Sequence, residues 1–198
     1  MRIFVAGATG VLGRAILPHL IQHGHRVGGL TRTPSKANYL RGAGVVPFVC
    51  DVFDQDKLTG IVCSFRPGVV IHQLTDLPDD ASEVNSKSAD NARIRVTGTK
   101  NLLHAAHAAG ASKVMAQSVA WELPWGPAAD AVAQLEALVL EAHGVVLRYG
   151  RLYGPGTYYP IHAPAHPRVH VEAAAIASVR ALRSPSGIVL VKDAEEPG

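Results

Sequence analysis

The sequence predicts an α/β fold, a doubly wound parallel sheet with helices on both faces, and three observations predict it. Short β-type runs alternate with helix-length segments along the whole chain. The runs are apolar on both faces, as strands buried between two helical layers must be. The turn after the first run, GATGVLG, carries glycines at its first, fourth and seventh places, Gly7, Gly10 and Gly13.

Taken in order, RIFVAG is a strand that passes through GATGVLG into the helix VLGRAILPHLIQHG. HRVGGLTR and SKANYLRGAG give the second strand and helix, VVPFVCD and QDKLTGIVCSF the third. GVVIHQL is the fourth strand, followed by a long helical stretch from about Glu83 to Ala109. KVMAQS, the helix PWGPAADAVAQLEALVLEAHG, the strand GVVLRYG, the helix VEAAAIASVRAL and the strand GIVLVK complete the pattern. Such a chain is expected to order its strands 3-2-1-4-5-6, with a cleft where the order reverses beside GATGVLG. Gly24, Gly44, Gly110 and Gly144 each fall just past a helical run, where a left-handed cap favours glycine.

With 198 residues the chain fits one domain, 1–198, able to bury roughly 70% of the surface of its unfolded form. The Pro- and Gly-rich run GPGTYYPIHAPAHPR, Gly154 to Arg168, separates a core of about 1–153 from a short segment, 154–198. A hydrophobic share of 47% against 18% charged residues argues for a packed globule, with disorder expected only at the C-terminal DAEEPG. Cys50 and Cys63 lack paired spacing and read as reduced, packed thiols. The N-terminus has no signal-peptide pattern, and no apolar run nears the roughly 20 residues of a membrane span, so a soluble, cytoplasmic protein is expected. A net charge of +3 is too small to argue for nucleic acid. Its distribution says more, because residues 1–50 hold Arg2, Arg14, Arg26, Arg32, Lys36 and Arg41 and no acid at all. That end is set up for an anion.

GATGVLG follows a strand and opens an amphipathic helix, the setting of a dinucleotide loop. Gly7 makes the turn, Gly10 admits a pyrophosphate to the backbone, and Gly13 lets helix and sheet approach, while Thr9, Val11 and Leu12 complete the loop. An acid about 20 residues further on, which would hold a ribose 2′-hydroxyl, is missing. Arg32 and Lys36 in LTRTPSK stand where a 2′-phosphate would lie, which favours NADP(H), with NAD(H) possible. The plain alternative for Arg32 is a solvated surface charge. Asp51, after the third strand, either accepts from the adenine amino group or caps the next helix. Val52 beside it and Leu74 after the fourth strand complete the expected cofactor contacts. Among the ten histidines, His162, His166 and His170 recur every four residues, but Pro164 and Pro167 prevent a shared helical face and no ligand cluster completes a metal site.

GATGVLG, DVFD, RVTGTKNLLHAA, KVMAQS, LRYGRLYGPG and RVHVEAAAIASVRAL together resemble, in order and over almost the whole chain, the NAD-dependent epimerase/dehydratase family of extended and atypical short-chain dehydrogenases. The resemblance implies a Rossmann-like sheet, a nicotinamide cofactor across the strand ends, and a substrate pocket after the fifth and sixth strands. It also implies a homodimer contact through the helices at about 85–109 and 126–142. In the family a serine follows the fifth strand and a Tyr-x-x-x-Lys pair lies on the next helix, four residues before a Glu. Ser118 matches the serine and Glu136 the Glu, which places the pair at Ala128 and Val132. No tyrosine in the chain has a lysine four residues later, so the usual acid/base machinery is absent. Few residues separate Gly154 from Arg168, and Ala173 stands where a second acid often follows Glu172, so the C-terminal substrate region is reduced.

The polar groups expected near the nicotinamide are Ser118, Tyr149 and Tyr153, with Ser118 and Tyr153 as catalytic candidates, Ser118 and Tyr149 also as cofactor contacts. The expected function is an NAD(P)-dependent oxidoreductase or isomerase of this family acting on a small or flat substrate. A compact NADPH-dependent flavin reductase and a non-catalytic NADP-sensing regulator are the alternatives.

Overall fold

The computed structural model describes residues 1–75 and 88–194. In chain order its elements are β1 (Arg2–Ala6), α1 (Val11–Gln22), β2 (Arg26–Thr31), α2 (Lys36–Gly42), β3 (Val46–Val49), α3 (Gln55–Phe65) and β4 (Val69–His72). Then come α4 (Ser88–Arg93), a π-helical turn (Ile94–Gly98), α5 (Thr99–Ala108), β5 (Lys113–Val119), α6 (Pro127–Glu141) and β6 (Val145–Tyr149). The last are β7 (Arg151–Tyr153), β8 (Arg168–His170), α7 (Val171–Arg180), a 3-10 turn (Ala181–Arg183) and β9 (Gly187–Val191).

Seven strands form one sheet in the order β3-β2-β1-β4-β5-β6-β9, all parallel. The expected order of the first six therefore holds, and the last strand adds to β6. The sheet is Rossmann-like, and its order reverses between β1 and β4. One face packs Ile3, Val5, Ile71, Met115 and Leu147 under α1, α2 and α7 through Ile16, Leu17, Leu20, Leu40 and Ala174. The other face packs Phe4, Leu30 and Val70 under α3 and α5 through Leu58, Val62, Phe65, Leu102 and Ala106, and Ala116 and Val146 under α6 through Leu135 and Val139. Each strand thus buries alternate residues on opposite sides, which is why its run reads as apolar throughout.

Three readings change. The helix expected from Glu83 is described only from Ser88, residues 83–87 lying outside the described residues, and it is interrupted by the π turn Ile94–Gly98. A two-stranded parallel ribbon, β7 with β8, flanks the Pro- and Gly-rich loop where no strands were expected; three-residue strands carry too short a pattern to stand out. Gly24, Gly44 and Gly110 have the left-handed φ of +74°, +77° and +70°, but Gly144 does not; His143, φ +54°, makes that cap instead. Gly144 is needed for space, since a Cβ there would lie 2.6 Å from the Val114 carbonyl oxygen. Among the described residues, no helix is long and apolar enough to cross a membrane.

Replacing His143 by Gly removes a left-handed side-chain conflict and is expected to stabilise the protein by about 1 kcal/mol. Gly144→Ala is expected to cost about 1–3 kcal/mol by overpacking against β5. Urea unfolding of both variants checks the opposite signs.

Candidate functional site

The carboxyl ends of β1, β4, β5 and β6 converge where the strand order reverses. Between β1 and α1 the backbone is packed to contact. Gly7 has φ +88°, and a Cβ on it would lie 2.5 Å from the Gln73 carbonyl oxygen that follows β4. A Cβ on Gly13 would overlap the Gly7 carbonyl oxygen. Both glycines are therefore demanded by the fold. Gly10 is different: its φ of −76° suits any residue, and a Cβ there would meet only the Gly7 carbonyl oxygen, at 3.4 Å. The first turn of α1 has no side-chain cap and no acid, so its N–H groups and the helix dipole are turned toward whatever lies outside Gly10. Thr9 is held by Arg14, whose Nε donates to its carbonyl at 2.9 Å. Val11 is exposed, and Leu12 is buried in the core below.

The rim beyond β2 is basic. Arg32 follows β2 directly, Lys36 opens α2, and the Arg14 guanidinium lies 4.9 Å from the centre of the Tyr39 ring. Thr31 Oγ1 accepts from the Thr33 N–H at 3.2 Å and shapes the turn between them. Asp51 does not cap α3; Asp54 does, accepting from Lys57 N–H, while Asp51 accepts from Phe53 N–H at 3.0 Å. Val52 is buried, and its carbonyl accepts from Asn101 Nδ2 at 2.9 Å. Leu74 donates its N–H to His72 Nδ1 at 3.2 Å.

His72 was not singled out by sequence, because a lone histidine in an apolar strand carries no spacing signal. It is fully enclosed. Thr99 gives its hydroxyl proton to the Arg95 carbonyl at 2.5 Å, so His72 Nε2 must carry the proton it shares with Thr99 Oγ1 at 3.0 Å. Nδ1 is already accepting from Leu74. The ring is thus a neutral tautomer with both nitrogens used, and burial, helped by the Arg95 charge, pushes its pKa down to about 3.

Ser118 is not past the end of β5 but inside it, with its side chain toward α6. Its hydroxyl donates to Glu136 Oε1 at 2.5 Å. Arg148, opposite Ser118 on β6, grips the same carboxylate with Nε at 2.9 Å from Oε1 and Nη2 at 2.5 Å from Oε2. Arg95, in the π turn and 7% exposed, adds a buried cation near it, whereas the Arg148 side chain is 41% exposed. Burial alone would raise the Glu136 pKa, but the hydrogen bonds from Arg148 and Ser118 outweigh it and hold the carboxyl below the usual range. Glu136, 8% exposed, is the hub that ties β5, β6 and α6 together beside the π turn.

Tyr149 and Tyr153 are placed differently from expectation. Tyr149 points into the α1/α7 layer, fully buried. Ser178 gives its proton to the Ala174 carbonyl at 2.6 Å, so the Tyr149 hydroxyl donates to Ser178 at 2.7 Å and accepts from Gln73 Nε2 at 3.4 Å. Burial pushes its pKa up to about 12. Strand alternation at β6 sets this ring in the core and corrects its assignment to the cofactor. Tyr153, on β7, donates to Asp193 Oδ2 at 2.8 Å and meets the His170 ring edge-on. Both hydroxyls proposed for catalysis, Ser118 and Tyr153, therefore give their protons to carboxylates. Val132 and Ala128 lie one and two turns before Glu136 on α6. His170 caps α7 by accepting from Glu172 N–H. Among the described residues no cluster of His, Cys, Asp or Glu could hold a metal.

Comparison with known proteins agrees with this architecture. The model of the NAD dependent epimerase/dehydratase family matches residues 3–138. A 3-diazoavenalumate denitrifying reductase from a Streptomyces species is 40% identical over 182 residues, covering 80% of this chain and 59% of that protein. A UDP-glucose 4-epimerase of Mycolicibacterium smegmatis is 36% identical over 120 residues, 58% of this chain and 37% of the epimerase. The chain thus spans 59% and 37% of the length of these two relatives. Among solved structures, the UDP-glucose 4-epimerase of Thermus thermophilus in complex with NAD superposes with a TM-score of 0.81 at 24% identity, covering 98% of this chain and 78% of that one.

Two variants test the buried groups. The folded-state pKa of His72 lies below its unfolded value of about 6.5, so only the unfolded chain takes up this proton between the two values, and stability falls as pH drops through that window. Glu136 adds its own loss only below its unfolded value of about 4.3. Between pH 6.5 and 4.5, His72→Gln should therefore flatten the decline by up to about 1.4 kcal/mol per pH unit, read from urea unfolding at several pH values. Glu136→Ala, which leaves the buried Arg95 without its nearby anion and frees the part-exposed Arg148 to solvent, should cost about 1–3 kcal/mol at pH 7 in the same assay.

Proposed function

Because the chain belongs to the NAD-dependent epimerase/dehydratase family, we propose that it is an NADP(H)-dependent reductase whose acceptor needs no proton from the protein. Gly10 carries the cofactor reading. Neither its backbone conformation nor its neighbours inside the protein require glycine, so a ligand at the head of α1 is what a side chain would displace, and a pyrophosphate suits the free N–H groups there. Gly7, Thr9, Gly10, Val11, Leu12 and Gly13 would hold it. Arg32 and Lys36 would hold an adenosine 2′-phosphate, Asp51 the adenine amino group, and Val52 and Leu74 would back the cofactor. Bound there, NADPH supplies hydride.

Among the described residues the cleft offers no free proton donor, which narrows the acceptor. A carbonyl that takes hydride becomes an alkoxide, and a positioned general acid is worth about 10²- to 10⁴-fold in such steps. With Glu136 aligned to the family's glutamate, Ala128 and Val132 would take the places of the usual acid and its partner, and the hydroxyls of Ser118 and Tyr153 are directed to Glu136 and Asp193. The Streptomyces relative is named for reduction of a diazo compound with loss of nitrogen. Carried to this chain, that chemistry removes the need for an acid. Hydride bonds to the carbon of a diazonium group, the C–N pair leaves with dinitrogen, and no oxyanion remains to be protonated.

Anaerobic assays with NADPH and an aryl diazonium salt should show dinitrogen release matched to NADPH oxidation, above the rate without protein, while simple ketones and aldehydes are reduced at least a hundredfold more slowly. Faster reduction of a carbonyl would overturn the acceptor class. Gly10→Val should abolish measurable NADP(H) binding and leave the unfolding temperature of the free protein within a degree or two. Arg32→Ala should weaken NADP(H) about ten- to a hundredfold, as for a lost charged hydrogen bond, with NAD(H) affinity unchanged. Equal affinities for the two cofactors in the parent refute the preference.

A further inference from the structure

The ribbon β7–β8 stands at the carboxyl end of β6, separated from it by Gly150 alone, and one of its faces has an unusual composition. Leu152 and Val169 turn into the core. Alternation puts Arg151, Tyr153, Arg168 and His170 on the opposite face, with Arg151 directly opposite Arg168 and Tyr153 opposite His170. Like charges facing one another across a strand pair are destabilising unless something lies between them. The Arg151 guanidinium sits 5.0 Å from the centre of the Trp121 ring, which follows β5, so the end of β5 and the ribbon share one surface. Arg151 Nη1 reaches the His166 carbonyl at only 3.4 Å, and Arg168 Nη1 donates to the Pro164 carbonyl at 3.1 Å. Arg168 Nε and His166 Nδ1 are buried without a hydrogen-bond partner. The carboxylate of Asp193 stands close by and accepts from Tyr153. Two facing cations, an orphaned guanidinium donor and an aromatic ring thus meet at the ends of the two strands beyond which ligands bind in this fold.

We propose that Arg151 and Arg168 clamp a carboxylate of the substrate and that Trp121 carries its flat, conjugated body. The inference rests on reading this cleft as the reductase site and names the substrate class it takes. Guanidinium groups match the two coplanar oxygens of a carboxylate bidentately. Stacking on Trp121 fixes Arg151 in place before the ligand arrives and adds a cation–π contact that a flat ligand extends. An anion bound there would be shared by both guanidinium groups.

The probes are trans-cinnamate, its neutral amide cinnamamide, and uridine monophosphate, titrated by quenching of Trp121 fluorescence in a Trp125→Phe background with NADP(H) present. Cinnamate should bind at least tenfold more tightly than cinnamamide, and Arg151→Gln and Arg168→Gln should each erase at least tenfold of that affinity. Arg168→Lys should recover part of it. Equal binding of acid and amide, or indifference to both arginines, would each overturn the clamp. Tighter binding of uridine monophosphate than of cinnamate would overturn the carboxylate as ligand. NADP(H) titrated into the same variants should bind as in the parent. Loss of cinnamate discrimination with NADP(H) binding intact sinks the clamp alone, whereas arginine-dependent cinnamate binding in a parent that does not bind NADP(H) sinks the reductase reading and leaves the clamp.

Discussion

The contact among three backbones at the reversal of strand order governs the rest of the molecule. Gly7 lies against the Gln73 carbonyl, and Gly13 lies against the Gly7 carbonyl, so β1, β4 and the first turn of α1 are drawn together with no side chain between them. A parallel sheet leaves its crevice where neighbouring connections depart to opposite faces. Here α1 packs on one face and α5, which leads into β5, on the other, and the glycines set how closely the head of α1 approaches the crevice. The core follows from that placement. Leu12, Ile16, Leu17 and Leu20 of α1 fall onto Ile3, Val5 and Ile71, and α7 comes to rest beside α1, where Glu172 meets His19 at 2.7 Å.

Several polar groups inside such a core are satisfied through chains of bonds whose directions can be worked out, although Gln73 Oε1 is left without a partner. Ser178 commits its proton to a helix carbonyl, which forces Tyr149 to donate to Ser178 and Gln73 to donate to Tyr149. Thr99 does the same for Arg95, which forces the tautomer of His72. Glu136 is an exception in kind, since it is charged, and it is tolerated in the interior because Arg148 and Ser118 supply three hydrogen bonds. Such a cluster gains little over a packed apolar one, yet it is costly to break, so its effect is to lock one arrangement of β5, β6 and α6. That lock stands on the same helix as Ala128 and Val132. The helix that carries those two residues is thus held firmly against β5 and β6.

What the sequence revealed and what it hid divide along the range of the signal. Strand order, the glycine loop and the two helical layers rest on local patterns, a few residues read against a period, and these were legible. Arg32 and Lys36 stood out in an acid-free run of fifty residues, and the structure places them after β2 and at the start of α2. The direction of a side chain at a strand end is set by register and alternation against neighbours far along the chain, and local patterns do not carry it: Tyr149 turns into the core, Ser118 donates to Glu136, and Asp54 caps α3 where the cap was the alternative for Asp51. Gly144 resembled a cap because glycine has two uses, and only the nearby Val114 carbonyl distinguishes crowding from a left-handed turn. Arg148, Arg95 and Arg168 were invisible as a set, since nothing in the spacing of three arginines indicates that two flank one carboxylate and the third faces Arg151.

The distribution of charge along the cleft now has a physical sense. Its two ends are basic: Arg14, Arg32 and Lys36 beyond β2, Arg151 and Arg168 beyond β6. Among the described residues its middle offers no mobile proton, because His72 is neutral and enclosed, Tyr149 is held well above neutral pH, and the hydroxyls of Ser118 and Tyr153 point at carboxylates. An enzyme that must protonate what it reduces would place its titratable group between the ends. One that only brings an anionic hydride donor against an acceptor carrying a carboxylate has a different electrostatic problem, which is to keep two negative groups from driving the molecules apart. Cations at both ends solve it, since each neutralises one partner where it binds and leaves the reacting carbons to meet in the uncharged stretch between. Positioning of this kind can supply more of a rate than a single acid would, so turnover in such a cleft does not depend on a positioned acid, and an acceptor that brings its own leaving group suits it best.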